Sequence, residues 1–209
     1  MVAGPLFVGV TTIEALTRDG FDLRRHGISL LGLGANGWIQ IANFVVAGAL
    51  SIGFGDGVRR VPGPRAAPLL IWGYGAGLIA TGVFPVDPGA GFPPGTAADA
   101  AGLSWHGAIH AAAPPFAFAC LAALCLLFAR WFAARGRPGW MIYSLLTALA
   151  AVLLIFLPGG GGSVRSALAV VLTSAWLTGL AVVLRRQASA GFADQTRAES
   201  GAIGAKARQ

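Results

Sequence analysis

Gly107-Ala-Ile-His-Ala-Ala-Ala-Pro-Pro-Phe-Ala-Phe-Ala-Cys-Leu-Ala-Ala-Leu-Cys-Leu-Leu-Phe128 is a run of 22 residues without a single Asp, Glu, Lys or Arg. A helix needs about 20 apolar residues to cross the hydrocarbon core of a bilayer, and this run has that length. Its apolar residues are contiguous rather than alternating, which fits a helix and not a barrel strand. Lipid offers the backbone no hydrogen-bond partners, so a helix is the form such a run takes there. The rest of the chain agrees. Of 209 residues, 56% are hydrophobic and 11% charged, and the mean hydropathy is +0.70. A soluble domain carries about 25% charged residues, so this chain cannot cover a water-facing surface. The fold class that follows is an all-α integral membrane protein.

Working outward from Gly107–Phe128, five further apolar runs read as spans: Val2–Leu16, Ile28–Phe54, Ala67–Phe84, Trp140–Leu157 and Val164–Leu184. The first is short for a crossing. Together they predict a six-helix transmembrane bundle over residues 1–186, followed by a polar, Ala/Gly-rich tail, 187–209, expected to be disordered and cytoplasmic. The N-terminus has no Lys or Arg before Arg18, so a cleavable signal peptide is not expected.

The net charge of +7 does not point to nucleic acid. The basic residues lie in short loops and the tail, with no aromatic-interleaved patch, and the partner this implies is the lipid bilayer. Arg59, Arg60 and Arg65, then Arg130, Arg135 and Arg137, then the tail's Arg185, Arg186, Arg197, Lys206 and Arg208 fall on one side. That side is expected to be the cytoplasm, with both termini on it. Pro85–Trp105 has no Lys or Arg and is expected outside. The first loop, with Arg18, Arg24 and Arg25, breaks the rule, which suggests pairing with Glu14, Asp19 and Asp22. Fifteen basic residues include only one lysine, Lys206, and Ala and Gly abound. This is compatible with a GC-rich genome and a bacterial plasma membrane.

The outer face collects all three histidines and five of the eight acids: His26, His106, His110, Glu14, Asp19, Asp22, Asp87 and Asp99. His106 and His110 are four apart at a helix start, so both rings share a face. That spacing suits two imidazoles on one metal ion, as in HExxH sites, although the glutamate of that motif is absent. A divalent metal such as zinc would take His106, His110 and a further ligand from Asp87, Glu14 or His26. Two histidines that only hydrogen-bond within the bundle fit the same spacing. Ser104 reads as the N-cap of the fourth span. Asn36, Gln40 and Asn43 form a stripe along the second span. They bond between helices or line a ligand pocket below the outer site. Pro114 and Pro115 free two carbonyls one turn past His110 and should kink the span. Phe84–Gly95 is too rich in Pro and Gly for helix and reads as a compact lid. Thr96-Ala-Ala-Asp99 resembles a capping box that opens a short interfacial helix. Gly73, Gly75 and Gly77 read as close helix packing. Cys120 and Cys125, five apart on one helix, point in different directions and imply no disulfide.

Several of these segments, taken together, resemble a known family. They are Thr17-Arg-Asp-Gly-Phe-Asp-Leu-Arg-Arg-His-Gly-Ile-Ser29, Gly37-Trp-Ile-Gln-Ile-Ala-Asn-Phe44, Phe84-Pro-Val-Asp-Pro, Phe92-Pro-Pro-Gly-Thr96 and Ser104-Trp-His-Gly-Ala-Ile-His110. They resemble the bacterial membrane proteins of domain-of-unknown-function family 998, over roughly Thr17–Phe118. The resemblance implies a similar bundle and no particular activity. The family's usual prolines near Asp19 and Gly27 are missing here. Three functional readings follow from the residues. One is a binding or sensing module whose outward-facing pocket (Asp87, His106, His110, Asn43, Gln40) holds a metal, lipid headgroup or small ligand. Another is a zinc-dependent membrane hydrolase. The third is a structural or assembly protein whose polar clusters fix helix packing.

Overall fold

The computed structural model describes residues 2–97, 102–156 and 162–206, with side chains in the last segment described for 163–189. Among the described residues, six α-helices carry the fold: α1 Ala3–Thr17, α2 Gly37–Val58, α3 Ala67–Val83, α4 Trp105–Ala133, α5 Pro138–Phe156 and α6 Gly162–Lys206. The last continues along the polar tail. A 3-10 turn, Ile28–Gly32, precedes α2. α2, α4, α5 and the stretch Ser163–Ser189 of α6 are each long and apolar enough to cross a membrane, while α1 and α3 are shorter apolar helices. With 15 and 17 residues, the two shorter ones reach ~22 and ~25 Å, against a hydrocarbon core of about 30 Å.

Each helix packs on the next in sequence, and α6 closes the ring against α1. Glycines set the closest approaches. A Cβ on Gly48 of α2 would lie 2.6 Å from the Gly75 carbonyl oxygen of α3, and one on Gly75 would lie 2.7 Å from that of Gly48. Gly73 and Gly77, on the other side of α3, receive Cys120 and Ala117 of α4. The glycine-rich run of α3 therefore packs on two neighbours at once. The main core joins α4, α5 and α6 around Phe128, Phe132 and Trp176, all fully buried. Trp176 keeps its indole N–H satisfied by donating to Ser144 Oγ at 3.0 Å. Outside, Leu69 (67% exposed), Leu146 (59%) and Phe116 (54%) belong to an apolar exterior that no soluble monomer of this size would show to water. It is the surface lipid covers.

The second span starts later than its hydropathy suggests. Ile28–Phe54 carries no charged residue, yet the helix begins only at Gly37. Gly34 takes a left-handed φ of +75°, and Gly37 lies against the carbonyl of Gly32, where a side chain would collide. These glycines turn the chain before α2 can start. Asn36 consequently stands outside the helix, exposed. It does not share the stripe of Gln40 and Asn43. The helical assignment of α4 runs unbroken through Pro114 and Pro115. The capping-box reading of Thr96–Asp99 falls on residues outside those described.

Candidate functional site at the histidine end of the bundle

The C-terminal ends of α1 and α3 and the N-terminal ends of α2 and α4 meet at one end of the bundle, with the first loop and the lid 84–96 between them. The first loop is anchored by Arg18. Its guanidinium donates to Glu14 Oε1 at 2.6 Å and to the carbonyls of Leu31 and Leu33 at 3.0 and 3.2 Å. One arginine thus ties α1 to the 3-10 turn, and the expected pairing holds for this pair. Arg24 and Arg25 are exposed and have no carboxylate partner among the described residues. Asp22 instead organises its own turn. Its Oδ1 accepts from the Arg24 backbone N–H at 2.9 Å, and its carbonyl accepts from the N–H groups of Arg25 and His26.

His26 is 4% exposed. Its Nδ1 accepts from the backbone N–H of Asp22 at 2.9 Å, which leaves the proton on Nε2, and Nε2 donates to the carbonyl of Ala90 at 3.1 Å. Its ring lies between Phe21 of the same loop and Phe92 of the lid. Phe92 is 1% exposed, and Gly89 and Phe92 exchange backbone hydrogen bonds that close the lid into a tight turn. His26 is therefore a latch between first loop and lid, with both ring nitrogens in use.

Beyond the latch the chain passes through Phe84-Pro85-Val86-Asp87. The backbone N–H of Ser104 donates to Asp87 Oδ2 at 2.9 Å, and the Ser104 hydroxyl donates to Oδ1 at 2.6 Å. The same hydroxyl oxygen accepts from the Gly107 N–H at 3.0 Å, the N-cap the sequence predicts for α4. The two bonds from Ser104 hold the Asp87 carboxyl below its ordinary pKa, against a smaller opposing effect of desolvation, and the nearby His106 and His110 add to the lowering. Asp87 rests directly over Gly107, where any Cβ would collide with the carboxylate.

His106 and His110 stand one turn apart on α4 and meet consecutive carbonyls of the lid. His106 Nδ1 lies 3.0 Å from the Pro85 oxygen and 3.0 Å from Ser104 Oγ. His110 Nδ1 lies 2.8 Å from the Phe84 oxygen. A carbonyl can only accept, so both Nδ1 atoms carry a proton, and in the neutral rings the Nε2 atoms hold the lone pairs. His110 is 5% exposed, and its Nε2 is buried with no hydrogen-bond partner. Asp87 approaches His106 on the Nδ1 side, at 3.9 Å. On His106 it therefore lies on the side away from Nε2.

Gln40 and Asn43 sit deeper, between α2 and α1. Gln40 exchanges hydrogen bonds with Thr11 at 3.2 Å, and Asn43 donates to Thr11 Oγ1, the Phe7 carbonyl and Gln40 Oε1 at 3.1 to 3.2 Å. The structure thus brings together Asp87, His106 and His110. It places His26 at the latch and Gln40 with Asn43 in a separate network. Among the described residues, no group of three or more His, Cys, Asp or Glu is arranged to hold a metal ion. Thr11, Phe92 and the carbonyls of Phe84 and Pro85 were not legible as site groups. A threonine inside an apolar run is ordinary, and a backbone carbonyl has no sequence signature.

Bundle, lipid-facing exterior and helical spans define a polytopic α-helical membrane protein. More narrowly, the chain belongs to the family described as "Protein of unknown function (DUF998)", whose model matches residues 1–183. No curated protein and no solved structure matches the chain.

Proposed function

We propose that this protein is a membrane binding module whose histidine end takes a ligand on the Nε2 atoms of His106 and His110. The observation that carries the reading is the buried, unpartnered Nε2 of His110. An acceptor lone pair left without a donor in a buried site costs free energy, of order 1–3 kcal/mol, and a ligand that supplies a donor or a Lewis acid removes that cost. The lid supports the reading by its geometry. Histidines that bind a ligand through Nε2 usually donate Nδ1–H to a carbonyl, which fixes tautomer and ring orientation. Phe84 and Pro85 supply those carbonyls. A divalent ion such as zinc is one ligand of this class, with His106 and His110 as its protein ligands and the other positions left to water or a small molecule. The polar atoms of Asp87 and His26 are engaged elsewhere, so they act as supports of the lid and not as ligands. A zinc hydrolase would need a third protein ligand, and for that reason the binding reading has the better support.

The membrane we assign is a bacterial plasma membrane, with both termini cytoplasmic and the histidine end outside. The distribution of loop arginines supports the orientation, and the excess of arginine over lysine with abundant Ala and Gly supports the bacterial membrane. Reporters fused after Gln209 and near Gly91 should report cytoplasm and exterior respectively; the reverse result would move the site to the other side.

The site itself is tested by nitrogen-15 NMR of the histidines in detergent, with and without zinc. Free protein should show the proton on Nδ1 of both His106 and His110, and zinc should shift both Nε2 resonances. Metal-free protein should take up a single zinc ion by equilibrium dialysis, and His110→Ala should abolish uptake. A proton on His110 Nε2, or no zinc uptake by the wild type, would sink the proposal.

A further inference from the structure

A cavity of about 340 Å³ opens between α1, α6 and the first loop, within the size range of ligand pockets. One face of α1 forms its long wall, from Val8 through Thr11 to Leu16, and Ala167 and Val171 of α6 stand opposite. Leu23 lies at the loop end. Leu16 and Val171 are both wall and exterior, being 82% and 46% exposed. The mouth is therefore on the lipid-covered side of the bundle. The hydroxyls of the α1 wall are already bonded, and the one charged group in the lining, Asp22, sits at the loop end. Thr12 donates to the Val8 carbonyl at 2.7 Å, and Thr11 belongs to the Gln40–Asn43 network. Water would find few partners here. An empty void of this size would forfeit the dispersion contacts of its whole lining. An acyl chain, entering from the side, restores them.

Apolar contact cannot by itself select a lipid, because the surrounding lipid tails are as apolar as the wall. Selection has to come from the polar end, and the loop supplies it. Asp22 and Leu23 line the cavity, and the next two residues are Arg24 and Arg25, exposed and without carboxylate partners among the described residues. Neither lines the cavity itself, but both follow directly on the residues that form its loop end. Arginine binds phosphate through a planar fork of donors, with charge-assisted bonds. We propose that this groove is a binding site for one membrane phospholipid, an acyl chain lying against α1 and α6 and the phosphate held by Arg24 and Arg25. Neither His106 nor His110 lines the groove, so the proposal is independent of the histidine site.

The test uses the full chain, purified in detergent, delipidated, and titrated with phosphatidylglycerol or with diacylglycerol, which has the chains but no phosphate. Native mass spectrometry counts the bound lipids. Wild type should retain one phosphatidylglycerol per chain in preference to diacylglycerol. Arg24→Ala with Arg25→Ala should weaken phosphatidylglycerol binding about tenfold or more and leave diacylglycerol nearly unchanged. Ala167→Phe, which fills the groove, should weaken both. The two arginines are exposed, so that double variant decides the matter even if Ala167→Phe fails to fold. Equal retention of the two lipids by wild type, or undiminished phosphatidylglycerol binding in the arginine variant, overturns the proposal. Inorganic phosphate that displaces the lipid at comparable concentration overturns it too, by reducing the site to an anion site without a chain.

Discussion

Asp87 grips Ser104 at two points: its Oδ2 accepts the backbone N–H at 2.9 Å and its Oδ1 accepts the hydroxyl at 2.6 Å. The pair welds the lid to the first turn of α4. Because the weld lies between Phe84-Pro85 and His106–His110, it also fixes which carbonyl meets which ring. The histidine tautomers thus depend on a contact that touches neither Nε2.

Gly107 should be intolerant of any side chain. Its missing Cβ is the space the Asp87 carboxylate occupies. Gly107→Ala would be mild for the helix itself, since alanine is the better helix former by about 1 kcal/mol. The predicted outcome is the opposite: a lower melting temperature, because Asp87 must leave Ser104. Melting of the detergent-solubilised variant measures it, and a gain in stability would mean that the weld is unimportant.

The weld should also weaken in acid. Ser104 donates two bonds to the charged form of Asp87, which lowers its pKa from the ordinary 3.8. A carboxyl with a depressed folded-state pKa contributes stability above its unfolded pKa and loses it as pH falls through the folded value. The contribution is therefore constant at neutral pH and disappears only below about pH 4. Asp87→Asn should remove that acid limb. Melting curves of the two proteins from pH 7 to pH 3 should converge at the acid end. Curves that stay parallel throughout would show that the carboxylate charge is not what holds Ser104.

Hydropathy located the helices well where a polar loop borders them: α3 begins at Ala67 as the pattern predicts. It failed at α2, because Ile28-Ser-Leu-Leu-Gly-Leu33 is as apolar as a span and yet turns. The break comes from the backbone freedom of Gly34 and the contact at Gly37, and hydropathy does not register either. Helical spacing put His106 and His110 on one face and Gln40 near Asn43. It could not say what those faces meet, since Thr11 lies 29 positions from Gln40 and the histidines' partners are main-chain atoms. Of the first-loop arginines, only the i,i+4 pair Glu14–Arg18 was a local relationship that spacing could reveal.

Asn43 should contribute only modestly to stability. It makes two hydrogen bonds across the α1–α2 contact, to the Phe7 carbonyl and Thr11 Oγ1, and one along α2 to Gln40, but interhelical bonds in membranes average ~0.6 kcal/mol, because the unfolded reference state finds partners too. Asn43→Leu should cost about 1 kcal/mol or less by this argument, and Thr11→Val should cost a similar amount. Because both residues share one network, the double variant should lose less than the two single losses added. Strict additivity in that cycle would mean the network does not exist as a unit.

The His26 latch offers the clearest separation of local from global stability. His26 bonds Asp22 on one side and Ala90 on the other, and its ring touches both Phe21 and Phe92. His26→Phe keeps a ring of similar size and removes both hydrogen bonds. The Asp22 N–H and the Ala90 carbonyl then lose their partner, at a cost of about 1–3 kcal/mol if they stay buried. The lid has an alternative that the bundle lacks: it can lift and let water satisfy those groups. The helices are held by α2–α3, α3–α4 and α4–α5 packing that does not pass through His26. Opening should therefore be local. Amide exchange in residues 84–96 should accelerate about tenfold or more, while exchange in the cores of α4 and α5 stays as in wild type. Limited proteolysis at Gly89–Gly91 should rise in parallel. If instead the whole bundle melts earlier with no selective exchange in the lid, His26 is a core residue of the bundle and the lid is not a separable unit.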